Sequence, residues 1–445
     1  MHSFSLVSSR PSRRASRGRS FHSVRLYVGS LIYNLICYIL SHPYPLRVIF
    51  AVIRRVRPIM VVRSLVIVTK YSDVREVLSR FNDFNLSDLL GPKMPWGPLL
   101  LSLDWREQHD RERQLLQSIV FQTDADAIKT KVAAKCRDLI AAKQASGEIN
   151  AVSDLCDIVT VGILNEYIGI PIIGDIRAMT GILGDVAGFI LVDPPALSAR
   201  YERAHASMAA LTKRVLDRIK VQGQAFATTP SPPAPTDDLL TRLVKLRCSG
   251  AGPDWFDDDW IRRYITGLAA TGGGTIVRAT TQAIDQLIAH PDGLKEAQGL
   301  AAKLRAGYNP VVWNQLRQIV YEGLRFRPML PLLGRYSPRE TIIAKGTSRS
   351  RTVPAGATVL APPIAGMFDP EKFENPSHFS SRRPLDGYIH FGVGPRECFG
   401  RYVADVVIME IIYSLLQLPN LQRAAGSKGQ IQYDGPVVTS LCLQI

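Results

Sequence analysis

A chain of 445 residues with 46% hydrophobic and 21% charged residues has the composition of a globular protein and is long enough to bury a large core. Its six cysteines are widely scattered and form no Cys-x-x-Cys pair or Cys/His zinc spacing. This pattern argues against a disulfide framework or a structural zinc, and it favours a reducing, cytoplasmic location. The net charge of +15 lies at one end, because residues 1–72 hold eleven Arg, one Lys and no acid.

The first 24 residues are predicted to be a disordered arm, because their arginines alternate with serines. An organelle presequence or an over-extended start has the same composition. Nucleic-acid binding is the general alternative for a basic arm. No aromatic-interleaved basic fold accompanies it here, so no nucleic-acid partner is expected.

Residues 25–59 form a short apolar and basic segment. Its apolar part, residues 25–41, is interrupted by Gly29 and Asn34 and falls short of the ~20 residues that span a bilayer. A helix packed on the core or lying at an interface is therefore expected rather than a span. The basic flanks predict peripheral contact between the N-terminus and an anionic membrane.

The rest of the chain, residues 60–445, is predicted to be one domain that is mainly α with a small β part. Two short strands are expected at 61–62 and 65–68, followed by a helix through residue 78. A loop covers 83–103, helical periodicity dominates from 104 to about 221, and 228–236 reads as a surface loop. Long helices are expected at about 258–289 and 311–326, and short strands and turns at 329–363.

The run from Phe391 to Gly400, Phe-Gly-Val-Gly-Pro-Arg-Glu-Cys-Phe-Gly, comes directly before a long apolar helix pattern. The N–H groups and the dipole of a helix N-terminus stabilise a thiolate at Cys398, and a thiolate held in this way suits the axial position of a haem iron in oxygen activation. A buried, inert cysteine beside a tight turn is the simpler alternative for a single Cys.

All fixed positions of this run match Phe-Gly-x-Gly-x-Arg/His-x-Cys-x-Gly, so the chain resembles the cytochrome P450 family. The resemblance implies the cytochrome P450 fold and a haem b cofactor, iron protoporphyrin IX. It implies that Cys398 is the metal ligand and that Phe391 and Gly400 belong to the cofactor-binding loop.

A second resemblance lies about 70 residues earlier, where Glu322 and Arg325 are three apart on a predicted helix and match the Glu-x-x-Arg motif of the family. Arg383, in Phe-Ser-Ser-Arg-Arg-Pro, is at the position that supplies a third partner. The resemblance implies a structural role for these residues, behind the haem.

Four further cations occupy positions at which the family holds the two haem propionates, which must be neutralised when they are buried. They are His109 and Arg113 on one helix face, Arg335 after the Glu-x-x-Arg helix, and Arg396 in the cysteine loop. Each one alone would be an ordinary surface charge.

The long helix departs from the family pattern, which has an acid followed by an alcohol for proton delivery on the distal side. Thr275 keeps the alcohol, but Gly274 stands at the position of the acid. Three consecutive glycines cost a helix about 1 kcal/mol each, so room for a bulky substrate, a local bulge or tight helix packing is expected to explain them. Missing acids occur in family members that use peroxides or rearrange hydroperoxides.

The resemblance implies a monooxygenase that hydroxylates an apolar, lipid- or terpenoid-like substrate, with electrons from a separate ferredoxin or reductase. A peroxide-using or fatty-acid-hydroperoxide-rearranging enzyme is the alternative, and a non-catalytic haem- or ligand-binding protein is the third possibility. The expected pocket walls are apolar and lie in residues 83–103, 189–192 and 329–333.

Overall fold

The computed structural model describes residues 14–196, 198–228 and 237–445, and it describes side chains in the first helix from residue 28 onward. Within these ranges the α-helices are α1 Arg14–Ser41, α2 Tyr44–Val56, α3 Tyr71–Ser79, α4 Ser87–Leu90, α5 Arg106–Ser118, α6 Asp124–Gln144, α7 Asp157–Ile163, α8 Ile176–Leu191, α9 Ala199–Thr228, α10 Leu239–Cys248, α11 Asp258–Ala289, α12 Pro291–Ala306, α13 Pro310–Phe326, α14 Pro363–Gly366 and α15 Arg401–Leu416.

The strands are short and belong to small sheets. They are β1 Ile59–Val62, β2 Leu65–Val68, β3 Glu148–Asn150, β4 Gly334–Ser337, β5 Thr341–Ile343, β6 Arg351–Val353, β7 Ala357–Leu360, β8 Gln422–Arg423, β9 Gln432–Asp434, β10 Val437–Ser440 and β11 Cys442–Gln444. The largest sheet has the order β1-β2-β7-β4, in which β2 and β7 are parallel and the other neighbours antiparallel. The predicted fold class, mainly α with a small β part, is confirmed.

Local signals explain where the two long predicted helices begin. The Asp257 carboxylate accepts the Trp260 N–H at 2.8 Å and caps α11, and α11 ends before Pro291. Asn309 caps α13 through two N–H groups, with Pro310 at the first helical position. Helix α11 lies at the centre of the domain and packs against α8, α9, α10, α13 and α15.

The N-terminus is helical from Arg14, so the range predicted for the disordered arm overlaps α1, and residues 1–13 lie outside the described residues. Within the described part of the chain, no single helix is long and apolar enough to cross a bilayer. Only Val28–Ser41 and Tyr44–Val56 taken together reach that length, and this pair is bent by 83°.

Glu322 and Arg325 form a fully buried ion pair on α13, with Oε–Nη and Oε–Nε distances of 2.7 and 2.8 Å. The same carboxylate accepts three further hydrogen bonds: from Arg383 Nε at 3.2 Å, from the Tyr388 hydroxyl at 2.9 Å and from the Ser380 N–H at 2.9 Å. Burial alone would raise the pKa of Glu322, but the hydrogen bonds from Arg325 and the other donors hold it below its usual value. The carboxylate is therefore ionised and fully bonded.

Arg325 also ties α13 to the segment that leads toward the cysteine loop. Its two terminal nitrogens donate to the carbonyls of Met367 at 3.1 Å, Pro376 at 2.7 Å and His378 at 3.2 Å. These contacts fix the path of the chain ahead of Phe391.

The three glycines of α11 lie in an unbroken helix that packs closely against its neighbours. A Cβ atom built on Gly274 would lie 2.6 Å from the Ala187 Cβ of α8, and one on Gly273 would lie 3.1 Å from Leu183 Cδ1. The expected bulge is absent, because α11 is continuous from Asp258 to Ala289. Among the three explanations given for the glycines, the structure supports tight helix packing.

Replacing Arg325 by Ala should strongly destabilise the protein, because it leaves the Glu322 carboxylate buried with too few partners. A loss of about 3–5 kcal/mol is expected, with little soluble haem-loaded protein. Lys213→Ala is the matched control, since Lys213 and Asp217 form an exposed i,i+4 pair at 2.7 Å. Equal melting temperatures for the two variants would show that the buried pair is energetically no different from the exposed one.

Gly274→Ala should lower the melting temperature, because the added methyl group overpacks the α8–α11 contact, which typically costs about 1–3 kcal/mol. The second change Ala187→Gly should restore most of the loss. Gly299→Ala is the control, since a Cβ on Gly299 of α12 would meet nothing within 4 Å and alanine favours a helix. If Gly274→Ala stabilised the protein as Gly299→Ala does, the packing explanation would be wrong.

Candidate functional site

The loop that carries Cys398 is held by backbone hydrogen bonds. The Cys398 N–H donates to the Phe391 carbonyl at 2.9 Å, and the Glu397 N–H donates to the Gly394 carbonyl at 3.0 Å. Gly394 has a φ of 77°, and a Cβ there would lie 2.8 Å from the Ser79 Cα of α3. Only glycine satisfies both the conformation and the close approach at this position.

Cys398 lies three residues before α15, close to the positive end of the helix. Its side chain is exposed, yet desolvation by surrounding protein atoms is the largest effect on the thiol and raises its pKa. The exposure of the side chain and the desolvation of its thiol are compatible if the sulfur faces an enclosed space inside the protein. The Gly400 N–H and the Arg113 guanidinium act in the opposite sense and favour the thiolate.

Arg113 of α5 lies at the cysteine loop. Its Nη1 donates to the Glu397 carbonyl at 3.2 Å, and its guanidinium lies 5.7 Å from the Phe399 ring centre. It therefore supplies positive charge beside the sulfur.

The other three predicted cations, His109, Arg335 and Arg396, are all buried. Each has a buried ring or guanidinium nitrogen without a hydrogen-bond partner: His109 Nε2, Arg335 Nε and Arg396 Nε. Burial and then the charge of Arg396 lower the pKa of Arg335 to about 10, and burial lowers the pKa of His109. Arg396 donates to Asp104 at 2.6 Å, and His109 contacts Asp110 at 2.9 Å.

Arg335 and Arg396 are buried cations with an unpartnered N–H group, which is costly unless an anion lies beside them. Two haem propionates would supply that charge and accept those bonds. The residues present therefore fit the cofactor that the cysteine loop implies. Among the described residues, no group of three or more His, Cys, Asp and Glu side chains is arranged to hold a metal ion directly.

Thr275 lies on α11, and its hydroxyl donates to the Thr271 carbonyl at 2.6 Å and lies 3.1 Å from the Gly272 carbonyl. The oxygen can still accept a hydrogen bond from a water molecule or a substrate group. The neighbouring Gly274 has no side chain and faces Ala187, so this position holds neither an acid nor the space for one.

Apolar side chains from the predicted wall regions are buried near α11 and β4. Leu99 packs on Gly267, where a Cβ would lie 2.2 Å from Leu99 Cδ1, and Leu89 lies beside Gly334. Met94, Trp96 and Phe189 are also buried. These contacts place the 83–103 loop against the central helix.

Asp104 and Tyr388 also belong to these clusters, although no sequence motif indicates them. Asp104 pairs with Arg396 and accepts the N–H groups of Leu86 and Ser87 at 2.9 and 3.0 Å, and Tyr388 donates to Glu322. Neither residue belongs to a motif with a fixed spacing. Their side-chain partners, Arg396 for Asp104 and Glu322 for Tyr388, lie at least 66 residues away along the chain. No pattern in the sequence could have indicated them.

A family model described as Cytochrome P450 matches residues 193–440. The chain is 26% identical over 298 residues to "Cyclomarin C epoxidase CymV" of Salinispora arenicola, which covers 67% of each chain. It is 32% identical over 111 residues to a "Bifunctional dioxygenase (DOX)-epoxy alcohol synthase (EAS)" of Fusarium oxysporum. That match covers 25% of this chain and only 9% of the Fusarium protein.

The fold is similar to that of the cytochrome P450 enzyme CYP109B1 from Bacillus subtilis. The TM-score is 0.69 at 19% identity, and the alignment covers 91% of this chain and all of the other. The family match over more than half of its length shows that the chain belongs to the cytochrome P450 family.

Proposed function

We propose that this protein is a monooxygenase that hydroxylates an apolar, lipid- or terpenoid-like substrate with electrons from a separate ferredoxin or reductase. The observation that carries the proposal is the cysteine loop at the start of α15, with unpartnered buried cations nearby. The apolar side chains of the 83–103 loop support an apolar substrate, because such a wall binds hydrophobic molecules and excludes water.

In this proposal Cys398 ligates the iron of haem b, and His109, Arg113, Arg335 and Arg396 neutralise the propionates. Phe391 and Gly400 border the cysteine loop. When bound, the haem would supply the oxidising chemistry, and the Cys398 thiolate would hold its iron. The protein side chains orient the substrate, exclude bulk water and control the movement of protons.

Proton movement on the distal side depends on Thr275 in this proposal. Its O–H is directed to the Thr271 carbonyl, so its oxygen accepts from a water molecule rather than donating freely. Since Gly274 offers no acid, water or a substrate group must supply the proton to this position.

The missing acid favours one alternative, a peroxide-using or hydroperoxide-rearranging enzyme, because such chemistry brings the oxygen in a reduced form. The contact between Gly274 and Ala187 supports it, since the helices approach too closely for an acid there. The resemblance to a bifunctional dioxygenase–epoxy alcohol synthase also supports it, over a short segment.

The domain division at residues 24 and 59 and the peripheral membrane contact remain proposals.

Cys398→Ala should abolish the carbon monoxide absorption band that is typical of thiolate-ligated haem, and Cys398→His should shift it, because the sulfur ligand is lost. Cys248→Ala is the control, since Cys248 is exposed and lies far along the chain from the loop. The reduced, carbon monoxide-treated proteins would be compared by absorption spectroscopy. A normal band in Cys398→Ala would mean that another residue is the ligand.

Wild-type protein should oxidise members of a lipid-substrate panel with a peroxide or lipid hydroperoxide at a rate comparable with its rate under a surrogate reductase system. The reason is that proton delivery without an acid at position 274 couples reductant poorly to product. The measurement is product formed per reductant consumed, beside product formed from peroxide alone. Tight coupling without peroxide-driven turnover would exclude the alternative, and haem loading without turnover in either arm would favour a binding protein.

A further inference from the structure

A second group of cations, none of them among the four assigned to the propionates, lies beside the C-terminal half of α11. We define the α11 arginine cluster as Arg278, Arg327 and Arg423 together with the carboxylate of Asp285. Asp285 accepts from Arg327 at 2.8 Å and from Arg423 at 2.7 Å. The cluster therefore carries three positive charges and one negative charge.

Arg278 is the member of the cluster without an acid. It is 2% exposed, and no carboxylate pairs with it among the described residues. Its terminal nitrogens donate to the carbonyls of Leu40, at 2.8 Å, and Pro436, whereas its Nε–H has no partner. Burial, and then the charge of Arg327, lower the pKa of Arg278. A buried guanidinium with an unpartnered N–H and no counter-charge is costly.

Arg278 and Arg327 lie side by side. They donate to the carbonyls of two consecutive residues of α1, Leu40 and Ser41, each at 2.8 Å. Each guanidinium carbon lies 5.7 Å from the centre of the Tyr433 ring. The Nε of Arg327 is also buried without a partner. Two neighbouring guanidiniums therefore each keep one N–H group that no protein atom accepts.

Gln282 adds neutral polar atoms at the same place. It is fully buried one turn after Arg278, and both its amide nitrogen and its amide oxygen lack partners. Positions 278, 282 and 285 follow one another at spacings of four and three, so they share one face of α11. The Ser41 hydroxyl is likewise buried without a partner. Unpartnered polar atoms are thus concentrated between this face of α11 and the end of α1.

A single anion would complete this arrangement. A carboxylate brings one negative charge and two oxygens that together accept about four hydrogen bonds, and it is the group that a guanidinium binds best. A water molecule could accept the same N–H groups but would leave the charge of Arg278 uncompensated. We propose that Arg278, Arg327 and Gln282 form a buried binding site for a carboxylate.

Two sources of a carboxylate have the same chemistry, a small free anion and the end of an acyl chain. Arg278 follows Gly274 by one turn on α11, so an acyl chain held at Arg278 would lie beside the helix that carries Thr275. The site itself does not depend on the reaction proposed for the haem. Only the acyl-chain source would deepen that proposal, because it would make the apolar substrate an acid.

The first test is the melting temperature of the full-length, haem-loaded protein in sodium formate and in sodium gluconate of equal concentration. Gluconate is a carboxylate too bulky for a buried site and controls for ionic strength. At about 100 mM, formate should raise the melting temperature by roughly 1–2 °C more than gluconate does, because it binds only the folded protein.

Gln282→Glu tests the position of the site, because it builds a carboxylate of nearly the same shape beside Arg278. Its melting temperature without formate should rise, and its response to formate should be lost. Gln224→Glu is the matched control, since Gln224 is exposed on α9 and the chemical change is the same. It should keep the wild-type response. Arg278 itself is left unchanged, because its removal would also deprive the carbonyls of Leu40 and Pro436 of a donor.

The second test distinguishes the two sources by equilibrium dialysis of dodecanoate and dodecanol. If the carboxylate belongs to an acyl chain, the wild type should bind dodecanoate at least about tenfold more tightly than dodecanol, and Gln282→Glu should lose this preference. If the ligand is a small free anion, the two chains should bind equally while formate still stabilises the protein. Both results support the site and assign its ligand.

Two results would overturn the proposal. One is a wild-type protein whose melting temperature rises with neither formate nor dodecanoate, which would show that no carboxylate binds. The other is a Gln282→Glu variant that keeps the full formate response, which would place the binding elsewhere. If Gln282→Glu does not fold, Gln282→Leu takes its place, because it removes the amide at similar volume and should weaken the response.

Discussion

The buried carboxylate of Glu322 is the interaction on which the position of the cysteine loop depends. An ionised carboxylate without solvent is stable only if donors surround it, and those donors come from α13 itself and from residues 380–388. Arg325 extends the same network to the carbonyls of residues 367–378. The chain therefore has little freedom between α14 and Phe391. The hydrogen bonds of Glu322 and Arg325 fix its path, and this path places Cys398 just before α15.

The two buried charge clusters differ in whether their polar atoms have hydrogen-bond partners within the protein. Around Glu322 the carboxylate oxygens and the Arg325 nitrogens all have partners within the protein. Around His109, Arg335 and Arg396 three nitrogens have none. A buried donor without a partner costs about 1–3 kcal/mol, so an anion beside Arg335 and Arg396 would stabilise this second cluster. The first cluster is complete within the protein, and the second keeps N–H groups from which an anion would accept.

The sequence was sufficient for those features that are local or repeat at a fixed spacing. Helices α11 and α13, the β1–β2 hairpin and the Glu322–Arg325 contact follow from caps, periodicity and i,i+3 geometry. Strand β3 was missed because it pairs with β11, almost 300 residues later, within a region of helical periodicity. Asp104 and Tyr388 were missed for the same physical reason. The role of Gly274 depends on Ala187 of another helix, so no pattern within α11 could distinguish a groove from close packing.

Helix α11 connects features that the sequence presents as separate. One side of it packs against α8 at Gly274, its Thr275 hydroxyl is bonded to its own backbone, and Arg278 one turn later bonds to α1 and to the β9–β10 turn. Arg278 has no acidic partner among the described residues and depends on the carbonyls at Leu40 and Pro436. The same bonds that hold the end of α1 therefore also give partners to the two terminal nitrogens of a cation that lies buried in the central helix.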